Sequence, residues 1–311
     1  MRRLRYLRRL LVAALLVTGS AGAAESSYIL VLGIAQDAGY PQTDCYRPHC
    51  MRAWENPELK RMASSIAVVD DKLKTKYVFD ATPDLREQLY HLHVAAPDTE
   101  YSLDGVFLTH GHMGHYTGLM HLGREASGSK GVPVYAMPRM REYLSTNGPW
   151  SQLVDLGNIR LIELTDAQSS AISDRLTVTP LRVPHREEYT EAVGFRIDGP
   201  DKSALFIPDI DKWERWQTDI RDLVRSVDYA LLDATFFRDG ELPGRAMEDI
   251  PHPFVEESMR LFADLNDEER SRVIFIHMNH TNPLLIDGSD EQLLVEKNGF
   301  RFAREGMKLP L

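Results

Sequence analysis

Three histidines lie within six residues of one another in the segment Thr109-His-Gly-His-Met-Gly-His115. The apolar residues before it predict a buried strand, and those after it predict a helix. In an extended backbone His110 and His112 project to the same side, and His115, one turn into the helix, can point back to the same place. Packing explains this poorly, because neutral imidazoles need partners and charged ones repel, whereas imidazole is the commonest metal ligand. The segment therefore predicts a metal centre where a strand meets a helix.

Short strand-like runs alternate irregularly with amphipathic segments along the chain. The predicted strands are residues 28–34, 64–69, 77–79, 105–108, 132–136, 159–164, 176–183, 192–197, 204–207, 229–232 and 273–276. The predicted helices are residues 83–92, 115–125, 138–145, 213–225 and 253–265. So many strands exclude a helical bundle. Strand hairpins in each half favour two sheets enclosed between helices over one doubly wound sheet.

The N-terminus has the order of a secretory signal peptide. Five arginines precede the apolar run 10–17, and small residues follow, ending in Ala21-Gly-Ala23. Because that run is shorter than the about 20 residues that span a bilayer, cleavage is favoured over an uncleaved anchor. We expect a signal peptide over residues 1–23 and a single domain over 24–311. The mature chain, with no stable membrane span, would be periplasmic or secreted.

The charge of the chain bears on its partners. Loss of the leader removes five arginines and no acid, so the formal charge changes from −10 to −15. Such a protein repels polyanions, which makes a nucleic-acid substrate unlikely and favours a small molecule. The sequence does not indicate an oligomeric state.

Cys45 and Cys50 are the only cysteines of the chain and lie in a loop-like segment. In an oxidising compartment a disulfide is their simplest arrangement. The alternative is a structural metal site that also uses His49, because two thiolates and an imidazole suit zinc. Both interpretations stay open.

The histidine segment resembles the His-x-His-x-Asp-His signature of the metallo-β-lactamase superfamily, except that Gly114 stands where the superfamily usually has aspartate. The resemblance implies the α+β four-layer αββα sandwich of the metallo-β-lactamase fold. It also implies a Zn²⁺ site of one or two ions, with iron or manganese as other candidates. The missing carboxylate leaves open whether one metal is bound or two.

Further segments resemble other landmarks of the superfamily, in the expected order. The resemblance implies that Asp80 orients the metal-binding loop and that His185 is the third histidine of the first site. It implies Asp209 as the bridging carboxylate, with Asp211 as its rival, and His277 as the histidine that completes the second site. The predicted metal ligands are thus His110, His112, His115, His185, Asp209 and His277.

Three more polar residues are candidates for contact with substrate. His252 stands between two prolines at the start of a predicted helix, where it could donate a hydrogen bond to a substrate anion; a solvent-facing loop histidine is the alternative. His280 and Asn282 follow His277 and could touch substrate or hold the tautomer of His277. With Asp209, His252 and His280 are the candidate catalytic residues, and Asn282 is a candidate positioning residue.

Most of the chain after the leader resembles, more narrowly, the pyrroloquinoline quinone biosynthesis protein B group. The resemblance rests on residues 32–42 with the cysteines after them, on 231–237 and on 277–283. That pathway is cytoplasmic, whereas this chain carries a predicted export signal. We therefore expect a relative with its own substrate.

The predicted function is metal-dependent hydrolysis of a small-molecule ester, lactone, amide or phosphodiester. A bound metal ion lowers the pKa of water from about 15.7 to about 7 and polarises the scissile bond, and Asp209 would orient that water. One alternative, which the narrower resemblance supports, is an iron-dependent oxidoreductase related to quinone cofactor biosynthesis, because histidine and carboxylate ligands with open positions also suit iron. The other is a non-catalytic metal-binding protein.

Overall fold

The protein is described from a computed structural model that covers residues 27–97, 101–242, 244, 246–247 and 250–311. The predicted signal peptide, residues 1–23, lies outside the described residues. Within them no helix is both long and apolar enough to cross a membrane.

Fourteen strands are described. They are β1 (Ser27–Gly33), β2 (Ser65–Asp70), β3 (Thr75–Phe79), β4 (Ser102–Phe107), β5 (Val132–Ala136), β6 (Ile159–Glu163), β7 (Ser170–Ala171), β8 (Thr177–Arg182), β9 (Val193–Asp198), β10 (Ser203–Ile207), β11 (Tyr229–Asp233), β12 (Val273–Ile276), β13 (Arg301–Phe302) and β14 (Lys308–Pro310). Each of the eleven predicted strands is present, with its ends shifted by three residues or fewer. The short strands β7, β13 and β14 were not predicted.

The strands form two seven-stranded mixed sheets, in the orders β14-β1-β2-β3-β4-β5-β6 and β13-β12-β11-β10-β9-β8-β7. In the first sheet the pairs from β14 to β3 are antiparallel and those from β3 to β6 are parallel. In the second sheet the pairs from β7 to β10 are antiparallel and those from β10 to β13 are parallel. Strands β1, β3 and β4 therefore run in one direction in the first sheet, and β8, β10, β11 and β12 do so in the second.

The sheets pack face to face, and helices flank them. Alternate residues of β1 show both faces buried: Ile29 and Val31 belong to the core between the sheets, whereas Leu30 belongs to a second cluster under the outer helices. Phe79 of the first sheet stacks on Phe107 at 4.7 Å between ring centroids and meets a ring of the second sheet edge-on at 5.4 Å. The structure confirms the predicted αββα sandwich.

The described α-helices are α1 (Pro48–Glu55), α2 (Leu85–Ala95), α3 (Met113–Tyr116), α4 (Pro138–Thr146), α5 (Trp150–Asp155), α6 (Ile220–Arg225), α7 (Val255–Leu261), α8 (Asp267–Arg272) and α9 (Asp290–Lys297). The helix predicted over 115–125 is instead the single turn of α3 followed by a 3₁₀ helix, Thr117–Leu122. The helix predicted over 213–225 was wrong as one element. It is a 3₁₀ turn, Trp213–Arg215, and then α6, because the side chain of Asp219 accepts a hydrogen bond from Arg221 N and starts a new helix there.

Candidate metal centre

The predicted ligands lie in loops at one edge of the sandwich. The loops that carry them follow the carboxyl ends of β4, β8, β10 and β12, which run in the same direction within their sheets. An isolated bridge between Ala35, just after β1, and Met278, just after β12, joins the two sheets at this edge. Strand direction therefore brings together residues that are up to 167 positions apart in the sequence, from His110 to His277.

A first cluster of ligand atoms consists of His110, His112, His185 and Asp209. His110 Nε2 lies 2.9 Å and His185 Nε2 lies 3.1 Å from His112 Nδ1. Asp209 Oδ2 lies 3.3 Å from His110 Nε2 and 3.2 Å from His185 Nε2. Ligand bonds of about 2.0 Å in a tetrahedron put neighbouring ligand atoms about 3.3 Å apart. The spacing of these atoms therefore fits the ligands of one divalent metal.

A second cluster lies beside the first and consists of Asp37, His115 and His277. His115 Nε2 is 3.6 Å from Asp37 Oδ1 and 3.8 Å from Asp209 Oδ2. Four atoms here are buried and lack a hydrogen-bond partner among the described residues: Asp37 Oδ1, His115 Nε2, Asp209 Oδ1 and His277 Nε2. Buried polar atoms rarely stay unpaired, and these atoms are all metal donors. Sequence analysis did not identify Asp37 as a member of this site.

Each histidine of the two clusters has its other ring nitrogen held by a polar side chain. The pairs are His110 Nδ1 with Thr109 Oγ1 (3.0 Å), His112 Nε2 with Glu188 Oε2 (3.0 Å), His115 Nδ1 with Asp80 Oδ2 (2.7 Å), His185 Nδ1 with Asp211 Oδ1 (3.3 Å) and His277 Nδ1 with Thr235 Oγ1 (3.0 Å). Such partners fix ring orientation and tautomer at metal sites. Each ring thus directs one nitrogen towards the cluster.

Asp80 lies at the end of β3, beneath the histidine segment, and is fully buried. Its Oδ1 accepts a hydrogen bond from Thr109 N at 2.8 Å, and its Oδ2 accepts one from Thr109 Oγ1 at 2.9 Å. Oδ2 also contacts His115 Nδ1. From this position the carboxylate holds both the start of the histidine segment and the ring of His115.

Asp211 does not lie between the two clusters. Its Oδ1 contacts the outer nitrogen of His185, and its Oδ2 accepts a hydrogen bond from Arg215 at 2.7 Å. Asp209, in contrast, approaches histidines of both clusters. The geometry therefore favours Asp209 over Asp211 for the bridging position.

His252 is buried beside Asp209 and Asp233. Sequence analysis did not identify Asp233 as a partner of His252. His252 Nδ1 lies 2.9 Å from Asp233 Oδ2 and 3.3 Å from Asp209 Oδ1. The alternative interpretation of His252 as a solvent-facing histidine was wrong, because its side chain is only 8% exposed. Asp233, the last residue of β11, also accepts hydrogen bonds from Thr235 N and Oγ1 at 2.7 Å.

Neither His280 nor Asn282 holds the ring of His277, but His280 lines a cavity beside the centre, where contact with a substrate stays a prediction. The Asn282 amide donates to Ala234 O at 2.7 Å and its Oδ1 accepts from Leu284 N at 2.9 Å, so the side chain binds backbone and caps a 3₁₀ helix. The prediction that it holds His277 was wrong, because Thr235 takes that role. His280 lies near His49, at 5.6 Å between ring centroids, and not among the metal-facing imidazoles.

Cys45 and Cys50 are joined by a disulfide. His49 and His280 lie beside them, so that the four residues offer ligand atoms within 4.8 Å of one another. With the cysteines reduced, the donor set would be two thiolates and two imidazoles, which is a usual set for structural zinc. The residues thus accommodate either arrangement that the sequence left open.

The charges in the two clusters are unevenly distributed. Burial opposes a charge on His115, but the carboxylates of Asp80 and Asp37 outweigh it and raise the pKa of His115 to about 10. Burial likewise opposes a charge on His185, and Asp209 and Asp211 outweigh it and raise the pKa of His185 to about 10. Burial lowers the pKa of His110.

We expect metal binding to release up to two protons at pH 7. Without metal, His115 and His185 carry protons below about pH 10, and a metal ion at each cluster must displace one of them because only the unprotonated nitrogen binds metal. Zinc affinity should therefore rise with pH between 7 and 9. Calorimetry in buffers of different ionisation enthalpy measures the protons released, and release of none would contradict the assignment.

The metal-free fold should show the opposite pH dependence. A histidine whose folded-state pKa is raised contributes stability that is fully present below its unfolded pKa of about 6.5 and is lost as the pH rises towards its folded value. The contribution of His115 and His185 to the stability of the metal-free protein should thus decline from about pH 6.5 to about pH 10.

Comparison with known proteins gives consistent matches. The profile of a family described as "Beta-lactamase superfamily domain" matches residues 75–278. Coenzyme PQQ synthesis protein B of Methylobacterium sp. (strain 4-46) is 29% identical over 308 residues, which cover 91% of this chain and 99% of that protein. The crystal structure of Zn²⁺-bound PqqB from Methylobacterium extorquens has a TM-score of 0.73 at 25% identity and covers 91% of this chain and 100% of its own. A diphosphatase of the PhnP family shares the fold, with a TM-score of 0.65 at 22% identity over 92% of this chain and 97% of its own.

Proposed function

This chain belongs to the beta-lactamase superfamily, and on that premise we propose that it is a metal-dependent hydrolase of a small-molecule ester, lactone, amide or phosphodiester. Its narrower resemblance to the pyrroloquinoline quinone biosynthesis protein B group is confirmed by the matches to PqqB sequences and structure. The observation that carries the proposal is the pair of ligand clusters that meet at Asp209.

The residues fit a divalent metal, and zinc is the first candidate because of their imidazole and carboxylate donors. His110, His112 and His185 would hold one ion, with Asp209 beside it and a position left for water. A metal held there lowers the pKa of water to about 7 and polarises a carbonyl or phosphoryl oxygen. The protein residues supply the metal ligands, the hydrogen bonds that orient those ligands, and the groups that accept or donate protons.

A cavity of about 610 Å³ adjoins the metal centre and is a suitable place for a small substrate. Its polar lining includes His252, Asp211 and His280, and its apolar lining includes Phe236, Leu242 and Ile250. Arg186 and Arg215 also line it; each pairs through one nitrogen with a carboxylate, that of Glu188 or of Asp211, and a guanidinium has further N–H donors for an anion. These contacts support a substrate with an apolar body and an anionic group.

His252 is the residue that we assign to proton donation. The carboxylate of Asp233 accepts a hydrogen bond from its Nδ1, which leaves Nε2 for a substrate oxygen. Burial opposes a charge on His252, but Asp233 and Asp209 outweigh it and raise its pKa. A protonated imidazole at this point can donate to a leaving group or a substrate anion.

The test is a screen of esters, lactones, phosphodiesters and β-lactams with the zinc-loaded protein and with the same protein after chelation. We expect turnover of at least one class, lost on chelation and restored by zinc. The panel should pair each anionic ester with its neutral amide-capped analogue, and we expect the anionic member to have the lower KM, about tenfold for one charge-assisted hydrogen bond.

Two other functions are outcomes of the same screen. Iron after purification, with turnover that requires oxygen, would support an oxidoreductase, which the histidine and carboxylate ligands also suit. Persistent lack of turnover with zinc bound would support a non-catalytic metal-binding protein.

We propose that the protein acts outside the cytoplasm. The predicted signal peptide over residues 1–23 and the disulfide-bonded cysteines support this. Fractionation of cells that produce the full chain tests it, and recovery of uncleaved protein in the cytoplasm would contradict it.

A further inference from the structure

Gly114 is the one position at which the histidine segment departs from the superfamily signature, and the structure shows what fills the space. A Cβ added to Gly114 would lie 2.5 Å from Asp37 Cα, 2.7 Å from Asp37 Oδ1 and 2.9 Å from Asp37 O. Backbone atoms are among these contacts, so rotation of the Asp37 side chain would not relieve them. An aspartate at position 114 and the present loop at Asp37 therefore exclude each other.

The loop that carries Asp37 is fixed beside the second ligand cluster. Gln36 N donates to Met278 O and Met278 N donates to Ile34 O, both at 2.8 Å, so the segment after β1 is bonded to the residue that follows His277. Asp37 itself has a φ of 40°, a left-handed conformation that is uncommon for residues other than glycine. The backbone thus turns sharply where its carboxylate faces the histidines.

The Asp37 carboxylate meets two imidazole nitrogens that lack other partners. Asp37 Oδ1, His115 Nε2 and His277 Nε2 are buried without a hydrogen-bond partner among the described residues, and Asp209 Oδ1 shares that property. His115 and His277 already use their other nitrogens for Asp80 and Thr235. The four free atoms come from four segments that are distant from one another in the sequence.

We propose that Asp37 supplies the carboxylate of a second metal site, in place of the aspartate that the motif lacks, and that Gly114 provides the room for it. The site would comprise Asp37, His115 and His277 with Asp209 between the two ions, so that the chain binds two divalent metals. The inference rests on the metal binding in the proposed function and is independent of the hydrolysis.

The experiment moves the carboxylate from one position to the other. Asp37→Gly, Gly114→Asp and the double variant are compared with the original chain, and bound zinc is counted by mass spectrometry after dialysis at defined free zinc. Asp44→Gly is the matched control, because Asp44 lies in the same segment, also has a positive φ of 59° and is exposed. Circular dichroism and thermal unfolding check the fold of each variant.

We expect two zinc ions in the original chain and in the control, and one in Asp37→Gly, with second-site affinity reduced about 100-fold or more. Gly114→Asp alone should disturb folding or lose an ion, and the double variant should recover the second ion. Should Asp37→Gly fold poorly, Asp37→Asn keeps the size of the side chain and should still weaken the second site. Cobalt substitution gives a second readout, because the magnetic coupling of two neighbouring ions should vanish in Asp37→Gly and return in the double variant.

A single ion in the original chain would overturn the inference, and so would two ions bound with unchanged affinity in folded Asp37→Gly. Loss of both ions from that variant would also overturn the inference, because Asp37 would then be needed for metal binding at both sites and not at the second site alone. Each result is a metal count, so it is distinguishable from a failure of the proposed hydrolysis, which would leave the count unchanged.

Discussion

A His112→Ala variant is expected to lose the metal of the first site and about 1000-fold or more of any metal-dependent turnover. His112 Nδ1 lies within 3.1 Å of ligand atoms of both His110 and His185, so its removal takes one ligand from the first cluster. Stabilisation of the transition state by a metal amounts to several kcal/mol, and each 1.36 kcal/mol is about tenfold in rate. Zinc content and the initial rate on the substrate identified by the screen measure the two effects.

This variant should keep its fold, which makes the result interpretable. The His112 side chain is 15% exposed, whereas those of His110 and His185 are almost fully buried. His91→Ala is the matched control, because His91 is an exposed histidine of α2, and it should leave zinc content and rate unchanged. Full zinc content and full turnover in His112→Ala would refute the assignment of the first site.

The part of the centre that follows from local pattern is the histidine segment itself. The spacing of His110, His112 and His115 depends only on strand and helix periodicity, and their convergence could be derived from one short stretch. His185 and His277 have no such neighbours. Their place was inferred from resemblance alone, and it depends on strands of two sheets ending at the same edge.

Asp37 shows why other residues of the centre could not be predicted. It lies 73 residues before His110 and has no spacing relation to any histidine. Its position depends on a close approach of two loops at Gly114, which is a property of tertiary packing. Glu188 and Thr235 were missed for the same reason, because single polar residues beyond strand ends carry no pattern that marks them as partners of a histidine ring.

The strands were predicted better than the helices, and the reason is physical. Several strands of this sandwich, such as β1 and β11, are apolar runs of five to seven residues and stand out in the sequence. Several helices are one or two turns long, and their ends depend on single caps. Asp219 divides the predicted helix 213–225 by capping α6, and α8 begins at a capping box of Asn266 and Glu269 within a segment too polar to show an apolar face.

The substrate is beyond the reach of sequence patterns because its cavity is built from segments that are far apart. Arg186, Arg215, Phe236 and His252 reach it from four different segments of the chain. Their combination of charge and apolar surface emerges only from the fold. The superfamily's fold hosts different reactions, so the lining of this cavity carries more information on the substrate than the metal ligands do.

Replacement of Asp80 by asparagine is expected to reduce zinc affinity 10- to 100-fold, mainly at the second site. The Asp80 carboxylate accepts hydrogen bonds at both oxygens, from Thr109 N and Oγ1 and from His115 Nδ1. An amide can accept at only one of these positions. If the amide oxygen keeps the hydrogen bond from Thr109 N, the NH₂ group faces His115 Nδ1, which must then accept a hydrogen bond. The ring proton of His115 then moves to Nε2, the nitrogen that faces the metal.

Asp70→Asn is the matched control, because Asp70 is equally buried and accepts several hydrogen bonds. Asp70 lies at the end of β2, which runs antiparallel to β3 and so ends at the opposite edge of the same sheet. Both variants should lose thermal stability, but only Asp80→Asn should lose zinc affinity. Equal affinity in the two would mean that Asp80 stabilises the sandwich without positioning His115.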